Sequence, residues 1–399
     1  MKKVLLSLIV LCSITVSAQR TCLTDTKMAA LKSDPAFQAH HNEIMEFVRN
    51  PENYQTRLND ANSPTTVVTI PVVFHVLWKN ATQNISDAQI NSQLAILNAD
   101  FRKLNIDFSS VVPAVFQPFG ADLEINFVMA PATPAGLPTN GITRKQVPFS
   151  FVFEDEYYTA AGELAWSPMS YLNIWVGRFT DTSLLGFAYL PSAAGAPYDG
   201  LCIGDQYLGN TGTATYPFNK GRTATHEIGH YFGLEHPWGD ECSYNDGVAD
   251  TPATDYPYFN CPSFPNNANA CTVTTNGSMF MNYMDYVNDA CMAFFTNGQK
   301  AVVQNTLNGP RANLLSVPTT AGAQTVAIYP NPATDYFIIS GQSGVDMVEV
   351  YNTNGQLLKS QKLTENNEKV FISELQSGVY FLRIYNQGKL LKSDKIVKN

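Results

Sequence analysis

The stretch HEIGHYFGLEH, residues 226–236, constrains this chain more than any other, and it holds three of the six histidines. His226 and His230 are four residues apart. On a helix both imidazoles then project from one face, within reach of a single metal ion. Glu227 follows the first, where its carboxylate can address water on the metal without taking a coordination position. A catalytic zinc takes three protein ligands and keeps one position open. The third candidate, His236, lies six residues past His230, and a helix that ran on would carry it to the wrong side. Gly233 supplies the break, since glycine adopts positive φ freely, ends a helix and redirects the chain. Pro237 keeps the helix from resuming. The competing readings are a solvated histidine face and a structural zinc site. A structural site would draw on cysteines in a closed shell and would not need Glu227.

The start of the chain reads as an export signal. MKK is a positive n-region, VLLSLIVLCSITV an apolar core, and Val16-Ser17-Ala18 a small-residue cleavage site before Gln19. Residues 1–18 are therefore a secretory signal peptide by pattern, with a retained N-terminal anchor as the weaker alternative. No later stretch is long and apolar enough to predict a transmembrane segment. The net charge is −9, and Lys and Arg cluster only weakly, at the C-terminus. That balance argues against nucleic acid as a partner and suits calcium. Outside the signal six cysteines remain: Cys22, Cys202, Cys242, Cys261, Cys271 and Cys291. An even number in an exported chain points to disulfides. The last four follow the histidine cluster closely and permit three pairings among themselves; a zinc ion held by all four thiolates is the competing reading.

Pattern divides the rest into parts, as expected for ~380 residues, too many for one core. Residues 19–62 are polar, with short helical patterns such as HNEIMEFVRN, and end in NDANSP, a cleavable stretch. They read as a pro-segment, or alternatively a plain N-terminal extension. TVVTIPVVFHVLWKN is a β-rich run in which Pro71 predicts an edge position or an irregularity. SDAQINSQLAILNADFRKLN predicts a helix capped at Ser86 or Asp87, with Ile90, Leu94, Ile96, Leu97 and Phe101 at helical spacing. EINFVMA, LNIWVGRF, GFAYLP and GLCIG predict strands, and RTATHEIGHYFGLEH the helix of the metal motif. An irregular, cysteine-bearing half follows. SVPTTAGAQ, 316–324, is a linker by composition. Beyond it two hairpin-like segments echo each other, with Asn354-Gly355 as a turn signal, and a small β-sandwich is expected.

HEIGHYFGLEH together with NYMDY, 282–286, resembles the metzincin zinc peptidases, and among them the pappalysin family with its ulilysin-like, cytophagalysin-type members. The resemblance spans residues ~66–312, a match to a motif with mechanical requirements. It implies an α+β catalytic domain, residues 63–315. The same resemblance implies a twisted mixed sheet with helices above the cleft and a loop-rich, disulfide-stapled half below. It also implies Met284 as the Met-turn floor beneath the metal and Tyr286 as a group that reaches the metal or the oxyanion. It suggests the pairs Cys242–Cys271 and Cys261–Cys291. It further implies calcium in NDGVADTPATD, where Asp246, Asp250 and Thr251 offer hard oxygens. A preference for Arg or Lys after the scissile bond follows if Asp289 lies at the base of a side-chain pocket. Core packing, a polar turn and a surface Asp are the bland alternatives for these residues.

The expected chemistry is hydrolysis: zinc lowers the pKa of its water to about 7 and Glu227 accepts and redelivers the proton. Cys22, in RTCLTD, is a candidate zymogen switch that would fill the open zinc position; a disulfide with Cys202 is its rival. Self-cleavage near Arg49 or Arg57 would suit a basic preference. His40, His41 and His75 read as structural or solvated. Residues 325–399, through YPNPATDYF, VYNTNGQLL and GVYFLRIY, resemble the C-terminal sorting domain of Bacteroidetes type IX secretion. That implies export by the type IX machinery and a secreted or outer-surface location, the rival being a retained immunoglobulin-like binding module. Protein or peptide substrates are the expected partners. The rival functions are a surface adhesin with a relict zinc site and a metzincin of different specificity.

Overall fold

Residues 68–78 are apolar except for Thr69 and His75 because the strand they form, β1 (Val68–Trp78), is covered on both faces in the computed structural model of the chain. The residues described are 19–59, 67–135, 137–238, 242–243, 246–316, 327–329, 331–340, 345–352, 356–363, 369–386 and 389–399. The expected signal peptide, most of NDANSP, Asn245, nearly all of the linker and the Asn354-Gly355 turn lie outside them.

β1 is joined by β2 (Ile125–Met129), β3 (Ile142–Gln146), β4 (Leu172–Gly177), β5 (Gly186–Ala188) and β6 (Leu201–Gly204). Their order is β2-β1-β4-β6-β5, and β3 pairs the second half of β1 after β2 has paired the first. β5 runs antiparallel to β6 at one edge, while the other pairings are parallel. Ile70, Val72, Phe74 and Val76 enter the larger core, and Leu77 enters a second one with Phe153, Tyr157, Trp175 and Phe187. Pro71 does not mark an edge, because β1 is central. Val68 and Phe74 donate their N–H groups toward β2 and β3, so residue 71 faces β4, whose pairing begins only at Val72. No ladder bond is lost there.

Helices α1 (Thr24–Lys32), α2 (Pro35–Arg49) and α3 (Pro51–Asn59) form the N-terminal segment. α1 and α2 are built into the cores: Met45 and Val48 belong to the larger, Met28 to the second. Helix α4 (Asp87–Phe101) starts where its cap predicts, with the Ser86 hydroxyl accepting from the Gln89 N–H. Its Ile90, Leu97 and Phe101 are buried as the spacing requires. Two single turns follow, α5 (Phe108–Val111) and α6 (Phe153–Glu156). Helix α7 (Arg222–Tyr231) is buried along its whole length, and α8 (Asn297–Asn308) opens on a capping box between Thr296 and Gln299.

Between α7 and α8 the chain is irregular and stapled by Cys242–Cys271 and Cys261–Cys291. Cys22 and Cys202 are free thiols, so the Cys22–Cys202 bridge is not formed. The C-terminal part packs two antiparallel sheets. One contains β7 (Ala327–Tyr329), β8 (Tyr336–Ser340) and β11 (Lys369–Phe371). The other contains β9 (Met347–Tyr351), β10 (Leu357–Lys362), β12 (Gly378–Asn386) and β13 (Lys389–Lys398). Phe337, Val348, Val350, Leu382, Ile384 and Ile396 form its core, the sandwich the alternating pattern predicts. Among the described residues no helix is long and apolar enough to cross a membrane.

Candidate active site

Helix α7 carries His226 and His230 one turn apart and ends at Tyr231. Gly233 then takes φ +93°, which an L side chain would resist, and the chain turns back. His236 returns as a result. The three Nε2 atoms stand 3.1–3.3 Å from one another. Each Nδ1 has its own acceptor: Tyr283 O for His226 at 2.8 Å, Leu234 O for His230 at 2.7 Å and the Asp25 carboxylate for His236 at 3.1 Å. The ring protons therefore sit on Nδ1, and three lone pairs face a common point. Burial holds His226 and His230 uncharged, with His230 pushed down to about 3. Three converging lone pairs repel one another unless a cation sits among them, and the triangle suits zinc–imidazole bonds of ~2.0–2.1 Å. These residues fit a zinc ion.

Cys22 Sγ joins the histidines, and one donor atom from each of the four lies within 4.8 Å of the others; no other such cluster occurs among the described residues. Cys22 is held by β5, for its neighbours pair with that edge through Leu23 N–H to Gly186 O at 3.1 Å and Leu185 N–H to Thr21 O at 3.0 Å. The Cys22–Gly186 bridge is parallel. The Cys22 thiol and the Thr24 hydroxyl donate to Glu227 Oε2 at 3.3 and 3.4 Å. Burial pushes the Glu227 carboxyl up to about 8. A divalent cation in the triangle would pull it back down.

Met284 is fully buried, and its sulfur lies against Gly229, one residue before His230, where a Cβ would collide with it. It thus packs against the helix that carries His226 and His230. Asn282 holds that turn: its amide exchanges hydrogen bonds with Gln299 of the α8 capping box, and its Oδ1 also accepts from the Met284 N–H. Tyr286 packs against His226 and His236 at ring distances of 5.6 and 5.0 Å, and its hydroxyl accepts from the Cys22 N–H at 3.3 Å.

Asp289 is fully buried and takes N–H groups from Lys220 at 2.8 Å and Arg222 at 3.3 Å. Its other oxygen meets the Arg20 guanidinium at 2.5 Å. Arg20 is itself buried beside Thr223, Met292 and the Phe218 ring. Asp246 and Thr251 are brought together, with the Thr251 hydroxyl 2.7 Å from an Asp246 oxygen, while Asp250 turns to Thr296 and the Gly298 N–H at the start of α8. His75 is structural, bonded to Thr143 and Asn173. Sequence reasoning missed Arg20, Thr24 and Asp25. A basic residue two positions before a candidate switch cysteine was the available signal for Arg20; the other two carry none.

A mixed sheet with a three-histidine centre and a poised, non-ligating carboxylate is the architecture of a metallopeptidase. The chain belongs to the pappalysin family of extracellular metallopeptidases. Residues 135–308 match the family described as pregnancy-associated plasma protein-A, and residues 327–399 match the secretion system C-terminal sorting domain. An extracellular metalloprotease of Arthroderma gypseum is 28% identical over 71% of this chain and 82% of its own length. That of Arthroderma benhamiae is 30% identical over 59% and 76%. Mature mirolysin of Tannerella forsythia, solved with a cleaved peptide, is 42% identical with a TM-score of 0.59, covering 63% of this chain and 97% of its own. A Glu-to-Ala mutant of promirolysin from the same organism is 37% identical with a TM-score of 0.65, covering 74% and 96%. The sorting domain and the extracellular relatives make this a secreted or cell-surface protein.

Proposed function

We propose that the protein is a zinc endopeptidase, exported as a latent precursor, that cuts before Arg or Lys. The observation that carries this reading is the simultaneous engagement of Arg20 by Asp289 and of Cys22 by the histidine centre. His226, His230 and His236 would hold the metal, and zinc supplies Lewis acidity for the scissile carbonyl and for the water that attacks it. Glu227 takes the proton of the attacking water at Oε2 and returns it to the leaving amine. Tyr286 donates its hydroxyl proton in a hydrogen bond to the carbonyl oxygen as that atom gains charge. Asp289 pairs with the guanidinium or ammonium of the residue after the cut, in a pocket that Arg20 now fills.

Latency follows from the same contacts. Cys22 occupies the open side of the centre, and Glu227 and Tyr286 are engaged by the segment rather than by water and carbonyl. Arg20 precedes Cys22, whereas a substrate would place its basic residue after the reacting bond. The segment therefore runs in the opposite direction to a substrate that uses the same pocket. Residues 19–62 are then the pro-segment; promirolysin overlapping more of the chain than mature mirolysin supports that. Arg49 is a poor activation site because Val48 beside it is fully buried within α2. Calcium in the 245–255 loop belongs to the same proposal, supported by the buried Asp246 carboxyl, which burial raises to about 6.

The test is a map of cleaved bonds. Casein digested by the matured protein, with and without a zinc chelator, should yield products beginning at Arg or Lys only without the chelator. Products lacking that bias would refute the pocket assignment, and chelator-resistant cleavage would refute the metal reading.

A further inference from the structure

The three histidines are not held alike. His226 and His230 anchor Nδ1 on backbone carbonyls of the catalytic domain, Tyr283 O and Leu234 O. His236 anchors Nδ1 on the side chain of Asp25, in the first turn of α1. Its ring is further packed by other rings: Trp238 stacks on it at 4.3 Å and 10°, His226 lies against it at 5.2 Å, and His230 and Tyr286 meet it edge-on at 4.5 and 5.0 Å. Ring packing chiefly limits tilt, whereas the hydrogen bond at Nδ1 sets the rotation within the ring plane that aims Nε2.

α1 is fixed where it stands. Met28 is buried in the second core, Lys27 pairs with Asp155 and bonds to Glu154 O, and the Thr24 hydroxyl accepts from the Ala188 N–H of β5. Asp25 is thus delivered to His236 by a rooted helix. A carboxylate on the far nitrogen of a metal-binding histidine fixes its tautomer and orientation and raises its basicity; losing such a partner typically costs ~10–100-fold in metal affinity.

We infer that Asp25 is a positioning residue for the metal, so that the full-length chain holds zinc more tightly than it would without Asp25, and the matured enzyme gives up this support. The inference rests on the proposed removal of residues 19–62 only for its second half. In the precursor the segment that blocks the site also completes the set of carbonyl and carboxylate partners around the histidines. It thereby helps load and retain the ion through export, before catalysis is needed. Release trades metal retention for an open coordination position.

The experiment measures zinc affinity of the uncut chain, its integrity checked by intact mass, in competition with a chromophoric chelator. The Asp25 side chain is 73% exposed, so the effect belongs at the low end of the range. Asp25→Ala should weaken zinc about tenfold. Asp25→Asn keeps an acceptor without the charge and should fall between that and the unaltered chain. Glu43→Ala removes an exposed carboxylate elsewhere on the same segment and should change nothing. Affinity of Asp25→Ala within twofold of the unaltered chain would overturn the inference, as would an equal loss in Glu43→Ala. Because no hydrolysis is measured, a response to Asp25 in a protein that cut no peptide would sink the functional proposal and leave this one standing.

Discussion

Replacing Arg20 with alanine should loosen the N-terminal segment far more than its length suggests. The guanidinium and its partner Asp289 are both buried, with side-chain exposures of 1% and 0%. Removing one member of a buried pair leaves the other charge uncompensated, at a cost of about 3–5 kcal/mol. Asp289 keeps the N–H groups of Lys220 and Arg222, which places the loss near the low end. About 3 kcal/mol corresponds to roughly a 10²-fold shift in the ratio of docked to undocked segment. Hydrogen exchange of residues 21–32 in the uncut chain reads that ratio directly. Asp289→Ala should raise exchange by a similar factor, and the double variant should cost much less than the sum of the two. Unchanged exchange in Arg20→Ala, or additive single effects, would refute the pairing as the anchor of latency.

Other outcomes follow from the same contacts. His75 is buried between Thr143 and Asn173, and burial lowers its pKa from 6.5 to about 4. The unfolded chain therefore binds more protons between those values, and stability present above pH 6.5 is lost as the pH falls toward 4, by about 3 kcal/mol at most. Urea unfolding of His75→Gln should lack that share of the acid slope; an identical slope would contradict it. Tyr286→Phe should keep zinc and lower kcat by about 10²–10³, the loss of one oxyanion donor; unchanged kcat would remove Tyr286 from the mechanism. Calcium restored after EGTA treatment, at a hundredfold excess over its dissociation constant, should stabilise the fold by about 2.7 kcal/mol. Calorimetry showing no shift in Tm would discard the 245–255 site.

The helix and turn of the metal centre were legible because ligand geometry sets their spacing: His226, His230, Gly233 and His236 leave the backbone little freedom. Helix α4 was legible through Ser86 and a clean apolar period. Helix α8 was not. Its buried face mixes Val302, Val303 and Leu307 with Gln299, Gln304, Asn305 and Thr306, and those polar groups are satisfied by distant partners, such as Asn282 for Gln299 and Leu123 O for Gln304. Local sequence cannot reveal such partners. β3 was missed because neither of its faces is deeply buried, so no period marks it. Pro71 misled because its missing donor falls where a central strand has no neighbour yet. Around the centre, the residues attached to the motif were readable. Asp25, 211 residues from His236, was not, and the pairing of Arg20 with Asp289, 269 residues away, was hinted at only by the place of Arg20 two positions before Cys22, since the fold alone brings these partners together.

The most direct test of the central claim pairs two readings on one protein. Matured wild type and Glu227→Ala are assayed for zinc content and for hydrolysis of an arginine-containing peptide. One zinc per chain in both, with cleavage abolished only in Glu227→Ala, is the expected result. A Glu227→Ala variant that still cuts at the wild-type rate, or a wild-type enzyme that cuts without zinc, would contradict the account.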